Sequence, residues 1–286
     1  LITGYWRTTG GGTQNAAIQF GGYCSGTSTN SNKTEEYDGS AWSAGGNLLN
    51  ARAESTGTGT QNAALATSGK DGPISCVEEY NGSAWADGGA IITARRFLAS
   101  SGTQNAGLAF GGVTVACTEE YNGSSWSTGG ALITGRWGLS GAGTQTDALA
   151  FGGNNGSYRT CTEEYDGTSW SSGGALITAL ALGSNGGGGQ QTTSAAFVAG
   201  GYNPSNLNNT QEFNKTEICT GTYQCYLPGV WSNSGNLITA RIKLNGNSSS
   251  IGAGIVMGGC APIPTNLRYA CTEEYNGSTW VSRWCY

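Results

Sequence analysis

The sequence contains no histidine. Imidazole chemistry is therefore excluded: there is no His general base, no His-ligated zinc or copper, and no Ser-His-Asp relay. No Cys-x-x-Cys pair occurs either, so the usual zinc and dithiol spacings are missing. Serine and threonine are plentiful, but without a histidine or lysine partner no activated nucleophile is written into the chain. The glycine run Gly186–Gly189 lacks the Lys-Ser/Thr that a phosphate loop needs, and no EF-type calcium loop is present. No cofactor and no metal are expected, and no catalytic residue stands out.

Charge is scarce as well. Asp, Glu, Lys and Arg make up 11% of the chain, and the net charge is −5 without a long run of either sign. A basic stripe is absent, which argues against a nucleic-acid partner. Apolar stretches such as Asn105–Phe110 are far shorter than the ~20 residues of a membrane-spanning helix, so membrane insertion is not expected. No signal peptide is recognisable, and Leu1 falls inside a repeat; this reads as a processing site or the edge of a longer product.

What the chain does have is glycine, aromatics and cysteine. The 50 glycines exceed twice the usual share, yet 9 Trp and 13 Tyr speak against disorder. The glycines recur in register with aliphatic runs. Trp42, Trp85, Trp126, Trp170, Trp231 and Trp280 anchor six units, spaced by 43, 41, 44, 61 and 49 residues. The third unit shows the plan. Arg95–Gln104 is a small-residue strand suited to a crowded ring axis, and Asn105–Phe110 is an apolar strand ending in Gly111–Gly112. Thr118–Tyr121 is a third strand, Asn122–Gly123 a two-residue hairpin turn, and Ser124–Ser127 opens the outermost strand. Four short strands per unit mark a propeller blade.

The expected fold is all-β: one six-bladed β-propeller over 1–286, with four antiparallel strands per blade. Its units are 1–42, 48–85, 91–126, 132–170, 176–231 and 237–280. The first unit lacks the preceding outer-strand segment and the last ends with it. This predicts a ring closed by pairing of the N- and C-terminal segments. The fifth unit deviates, with Thr210–Phe213 in place of Thr-Glu-Glu-Tyr and an insertion over Lys215–Val230.

Glutamate pairs recur once per blade: Glu35–Glu36, Glu78–Glu79, Glu119–Glu120, Glu163–Glu164 and Glu273–Glu274. Neighbours on a strand point to opposite faces, so a pair cannot act on one substrate atom. A structural role between blades follows, with an Arg or backbone amides as partner. The nine cysteines point to an oxidising compartment with some disulfides. Cys76, Cys117, Cys161 and Cys271 share one repeat position, and equivalent positions in adjacent blades lie beyond the ~7 Å Cα limit for a bridge. Candidate bridges are therefore Cys219–Cys225 in the insertion, Cys260–Cys271 around one loop, and Cys24–Cys285 between the terminal units. Cys76, Cys117 and Cys161 are then expected to be buried apolar residues. Among the Asn-x-Ser/Thr sequons, Asn81, Asn122 and Asn276 are explained by the Asn-Gly-Ser turn itself.

The Arg after Thr-Ala, the aliphatic strand ending in Gly-Gly (Gly21–Gly22, Gly111–Gly112, Gly152–Gly153, Gly200–Gly201, Gly258–Gly259), the Glu-x-Tyr-Asp/Asn and the Trp together resemble the kelch family over essentially the whole chain. The glycine-rich style is also similar to repeats of phage and bacterial surface proteins. In kelch modules that bind acidic peptides, arginines at this repeat position supply ligand contacts at one mouth of the ring. That resemblance implies a ligand role for Arg52, Arg95, Arg136 and Arg241. The competing reading pairs them with the repeat glutamates. One position on stand Trp6, Arg96 and Trp137, where an Arg beside an aromatic ring suits a sugar or acidic peptide.

The function expected is that of a non-enzymatic, extracellular structural or binding module, part of a virion fibre or cell-surface appendage. Its partner would be a glycan, a surface polymer or neighbouring subunits. The alternatives are a lectin with repeated sugar sites and, less favoured, a polysaccharide-acting enzyme.

Overall fold

A computed structural model describes residues 1–24, 29–69, 74–113, 115–183, 193–215, 217–220, 223–226, 229–241, 245–250, 253–258 and 272–284. Among them there is no helix. The chain is a six-bladed β-propeller, each blade an antiparallel sheet built from one contiguous stretch of sequence. The third blade runs Ala99–Thr103, Ala106–Phe110, Thr118–Tyr121 and Trp126–Gly129, from axis to rim. The first blade is Thr9–Thr13, Ala16–Phe20, Thr34–Tyr37 and Trp42–Ala44, and the last is Asn245–Ser250, Ala253–Met257, Thr272–Tyr275 and Trp280–Trp284. In the fifth blade three strands are described: Ala195–Ala199, Thr210–Asn214 and Val230–Ser234. Its insertion forms a separate hairpin, Glu217–Thr220 with Tyr223–Tyr226.

Six apolar clusters hold the ring, one at each interface between neighbouring blades. The second strand of each blade is buried on both faces. This explains its apolar run without polar alternation. The inner strands are glycine-rich for a packing reason. A Cβ on Gly57 would sit 2.6 Å from the Phe20 ring of the preceding blade, and one on Gly141 2.6 Å from the Phe110 ring. The aromatic ring of one blade thus requires a bare backbone on the next.

Ring closure differs from the sequence expectation. The N- and C-terminal segments share no sheet, because each terminal blade is complete within its own unit. The seam is sealed by the same side-chain contacts as the other joints. The Tyr37 hydroxyl donates to Glu274 (2.8 Å), Trp42 Nε1 to Thr272 Oγ1 (3.1 Å) and Gln14 Nε2 to the Tyr275 carbonyl (3.3 Å). Leu1 packs with Ile255 and Met257. A repeating joint needs no special strand exchange, since the last blade presents the first with the Thr and Glu groups that most blades present to their successors.

Candidate functional site

The glutamate pairs divide their work as alternation on a strand dictates. The first of each pair turns inward within its blade. Arg52 pairs with Glu78, Arg95 with Glu119, Arg136 with Glu163 and Arg241 with Glu273, all buried. The same carboxylates accept backbone N–H groups from the connection leading into the blade, as Glu119 does from Ile92 (2.6 Å) and Thr93 (3.1 Å). The second of each pair reaches the preceding joint's counterpart on the next blade. Tyr80 donates to Glu36, Tyr121 to Glu79 (2.7 Å), Tyr165 to Glu120 (2.6 Å) and Tyr275 to Glu212 (2.6 Å). Burial, and then the hydrogen bond to the carboxylate, pushes the phenols of Tyr80 and Tyr165 up to about 12.

The resemblance-based ligand role of Arg52, Arg95, Arg136 and Arg241 is thereby corrected. Their guanidiniums are enclosed within the blades, and a buried ion pair offers a ligand no surface. The exceptions in the repeat follow the same logic. In the fifth blade Leu180 replaces the Arg and Gln211 replaces its Glu, so both charges vanish together; Gln211 Oε1 still accepts from Ile177 (2.8 Å) and Thr178 (3.0 Å). There Phe213 replaces the Tyr, and Lys215 takes over Glu164 (2.6 Å).

The first blade is unbalanced. Tyr5 stands where the Arg would be, and among the described residues buried Glu35 accepts the backbone N–H groups of Ile2 (2.9 Å) and Thr3 (3.0 Å) and pairs with no Arg. Burial is the dominant effect and raises its carboxyl above 4.5, against the opposing hydrogen bonds and the terminal amino group. A folded-state value above the unfolded one means stability that is full below the unfolded value and lost as pH rises through the folded one. Glu35→Gln, which copies Gln211, is expected to melt higher than wild type at pH 8, with the gap closing toward pH 4. Thermal melts across that range check this; a constant gap would show that ionisation of Glu35 is irrelevant.

The ring's mouth is built two residues beyond the buried arginines. Arg7, Glu54, Phe97, Gly138 and Leu182 occupy equivalent positions with φ between 56° and 63°. Four of the five non-glycine residues with positive φ among the described residues stand here, so the conformation belongs to the position. Backbone hydrogen bonds link these residues one to the next. Glu54 N donates to Arg7 O (3.3 Å), Phe97 N to Glu54 O (3.1 Å), Gly138 N to Phe97 O (2.9 Å) and Leu182 N to Gly138 O (2.8 Å). The equivalent Lys243 lies outside the described residues.

These residues form a collar around a cavity of about 70 Å³. Glu54 is buried in it, bound by both Arg7 and Arg96, the latter at 3.2 Å. The Arg7 guanidinium lies 4.4 Å from the Trp6 ring and 5.8 Å from Phe97. Trp6 and Trp137, expected near a mouth, are half-buried there: Trp6 packs edge-on against Tyr23 (5.6 Å), and Trp137 against Phe97 (5.6 Å). The structure therefore joins Trp6 and Trp137 to Arg7, Glu54, Arg96 and Phe97, and leaves the four buried arginines out. Arg7, Glu54 and Phe97 were missed by sequence reasoning because their identity changes in every unit. The one available signal was Gly138, a glycine aligned with larger residues.

A second feature lies on the same connections and hence on the same face. Each brings a buried aliphatic residue followed by an exposed one: Ile2, Leu49, Ile92, Ile133, Ile177 and Ile238 are 52–60% exposed. The sequence reading treated this Leu-Ile-Thr segment only as the start of a unit.

Cys76, Cys117 and Cys161 carry free thiols and do not bridge one another. They are half-buried rather than buried, and Arg52 Nη2 lies 3.2 Å from the Cys76 sulfur. The side chains of Cys219 and Cys225 lie outside the described residues, as do Cys260, Cys271 and Cys285, and with them the three candidate bridges. Among the described residues no group of three metal-ligating side chains gathers. No protein-family model matches the chain, and no curated protein is significantly similar to it.

Proposed function

We propose that this chain is a kelch-like propeller serving as a non-enzymatic structural module of an extracellular assembly, such as a virion fibre or cell-surface appendage. It contacts neighbouring subunits through the face that carries the collar. The observation that carries this reading is the recurrence of one exposed aliphatic residue per blade at a single repeat position. Isolated exposed aliphatics are ordinary, but six at one position on one face form a symmetric apolar ring. At this exposure each contributes on the order of 100 Å² and the ring roughly 600 Å², against about 800 Å² per partner in a stable interface. The repeat carboxylates, the obvious acids for sugar chemistry, are taken up by Arg, Tyr, Lys or backbone partners, which speaks against the enzyme alternative. The collar differs chemically in every blade, which speaks against a lectin with equivalent sites.

Sedimentation of the wild type beside a variant carrying Ile92→Asn, Ile133→Asn and Ile177→Asn tests the proposal. Wild type is expected to associate with rising concentration, and the variant to stay monomeric with the same melting temperature. A wild type that remains monomeric throughout, or a variant that associates equally well, would overturn it.

A further inference from the structure

The strands of each blade alternate in direction, so the two ends of the ring carry different loops. One end holds the connections into each blade and those between second and third strands; this is the collar face. The other end holds the turns between first and second and between third and fourth strands, the latter replaced by the insertion in the fifth blade. The two ends differ in charge. On the collar face stand Arg7, Lys33, Arg96 and Arg159, all at least partly exposed, and one acid, Glu54, which is buried between Arg7 and Arg96. On the turn face stand the exposed Asp38, Asp147 and Asp166, and the one base described there, Lys215, is bound to Glu164 (2.6 Å). By chain order Lys70, Asp71, Lys243 and Arg268 also belong to collar-face connections; they lie outside the described residues, and their charges sum to a positive value. A chain of net charge −5 thus keeps a cationic face opposite an anionic one.

The acids are built into the turns without disturbing them. Asp38 Oδ1 accepts the N–H groups of Ser40 and Ala41 (both 2.8 Å), as Asn81 Oδ1 accepts those of Ser83 (3.0 Å) and Ala84 (2.9 Å). Asp166 Oδ1 does the same with Thr168 (2.9 Å) and Ser169 (2.8 Å). These bonds, led by that from Ala41 in the one turn and Ser169 in the other, hold both carboxyls below their ordinary range, so the face stays anionic. The asparagine turns satisfy their own side-chain acceptors, which lowers the cost of covering them with apolar side chains.

Two collar faces brought together would set cation against cation. A collar face laid on a turn face sets cation against anion, and places the exposed aliphatic residues on small polar turns that need no outside partner. We infer that the surface meeting the collar face is the turn face of another copy, so that copies of this chain stack head to tail along the ring axis. Joining two unlike faces leaves one of each free, so the stack is open-ended and does not close at two. This rests on the collar face being an interface, as proposed above, and adds what it meets.

Sedimentation velocity tests it on wild type, on Asp38→Asn with Asp166→Asn, on the variant carrying Ile92→Asn, Ile133→Asn and Ile177→Asn, and on a mixture of the two variants. Asparagine already serves at this turn position as Asn81, Asn122 and Asn276, so the acid-to-amide variant should melt with wild type. Wild type is expected to grow past the dimer with concentration, and its association constant to fall at least tenfold between about 0.05 M and about 0.5 M salt as screening tightens. The acid-to-amide variant should associate at least tenfold more weakly at low salt. Each variant keeps one intact face, so the mixture should form a 1:1 complex at concentrations where each variant alone is monomeric. A wild type that stops at the dimer, an acid-to-amide variant that associates as wild type does, or a mixture without a complex would overturn head-to-tail stacking and leave the collar interface standing. A wild type that stays monomeric would overturn both.

Discussion

Arg136→Ala is expected to cost about 3–5 kcal/mol of folding stability, because it strands the Glu163 carboxylate inside the fourth blade without a counter-charge. Arg136 also donates to the carbonyls of Gly152 (2.8 Å), Thr134 (3.0 Å) and Ala150 (3.1 Å), so the substitution leaves several buried acceptors short as well. The fifth blade shows how to remove the pair safely, with Leu180 and Gln211 in the two places. The double change Arg136→Leu with Glu163→Gln is therefore expected to recover most of the loss. Urea titrations of wild type, Arg136→Ala, Arg136→Leu, Glu163→Gln and the double variant check this, the last three with wild type forming a double-mutant cycle. A single variant as stable as wild type would mean the guanidinium contributes little to the blade; a double variant no better than the single would mean the Arg packs rather than pairs.

The second large effect concerns the anchor tryptophans, which are not equal. Trp170 is buried between Phe110 (5.0 Å) and Tyr165 (4.9 Å), and its Nε1 donates to Thr118 Oγ1 (2.9 Å) on the preceding blade. The same bond is made by Trp85 to Thr34, Trp231 to Thr162 and Trp280 to Thr210. Trp126 alone lacks it: its threonine partner is replaced by Val77, and Trp126 Nε1 is buried without an acceptor. Trp170→Ala is expected to cost about 3–5 kcal/mol, and half-buried Trp126→Ala less. Val77→Thr should supply the missing acceptor and stabilise by about 1 kcal/mol. Denaturant midpoints at constant slope measure all three. Equal losses at Trp126 and Trp170, or no gain from Val77→Thr, would show that the hydrogen bond adds nothing to ring packing.

The fold was legible in the sequence because its determinants repeat. The Trp, the Gly-Gly doublet, the Glu pair and the Asn-Gly turn each recur at fixed offsets, and a ring of identical joints turns that recurrence directly into architecture. Ala106–Phe110 and Thr118–Tyr121 fall within a residue of where the pattern sets them. The closure was misread because an offset first unit looks like a shared blade, whereas the joint is made by side chains and needs no exchanged strand. The site was misread for the complementary reason. Recurrence singles out Arg52, Arg95, Arg136 and Arg241, yet what recurs from blade to blade serves the frame. The side chains that line the mouth are those that vary, and their convergence depends on a left-handed turn two residues later that no residue type announces.

The collar bears on how such a ring can change over generations. Its left-handed turn is held by a run of main-chain hydrogen bonds from one blade's connection to the next, so the position accepts Arg, Glu, Phe, Gly and Leu within one chain. A non-glycine residue there costs roughly 1–2 kcal/mol, and the joints between blades are untouched by the exchange. Each blade therefore contributes one replaceable letter to the mouth, and a single substitution can give the opening a new chemical character while the frame around it stays the same.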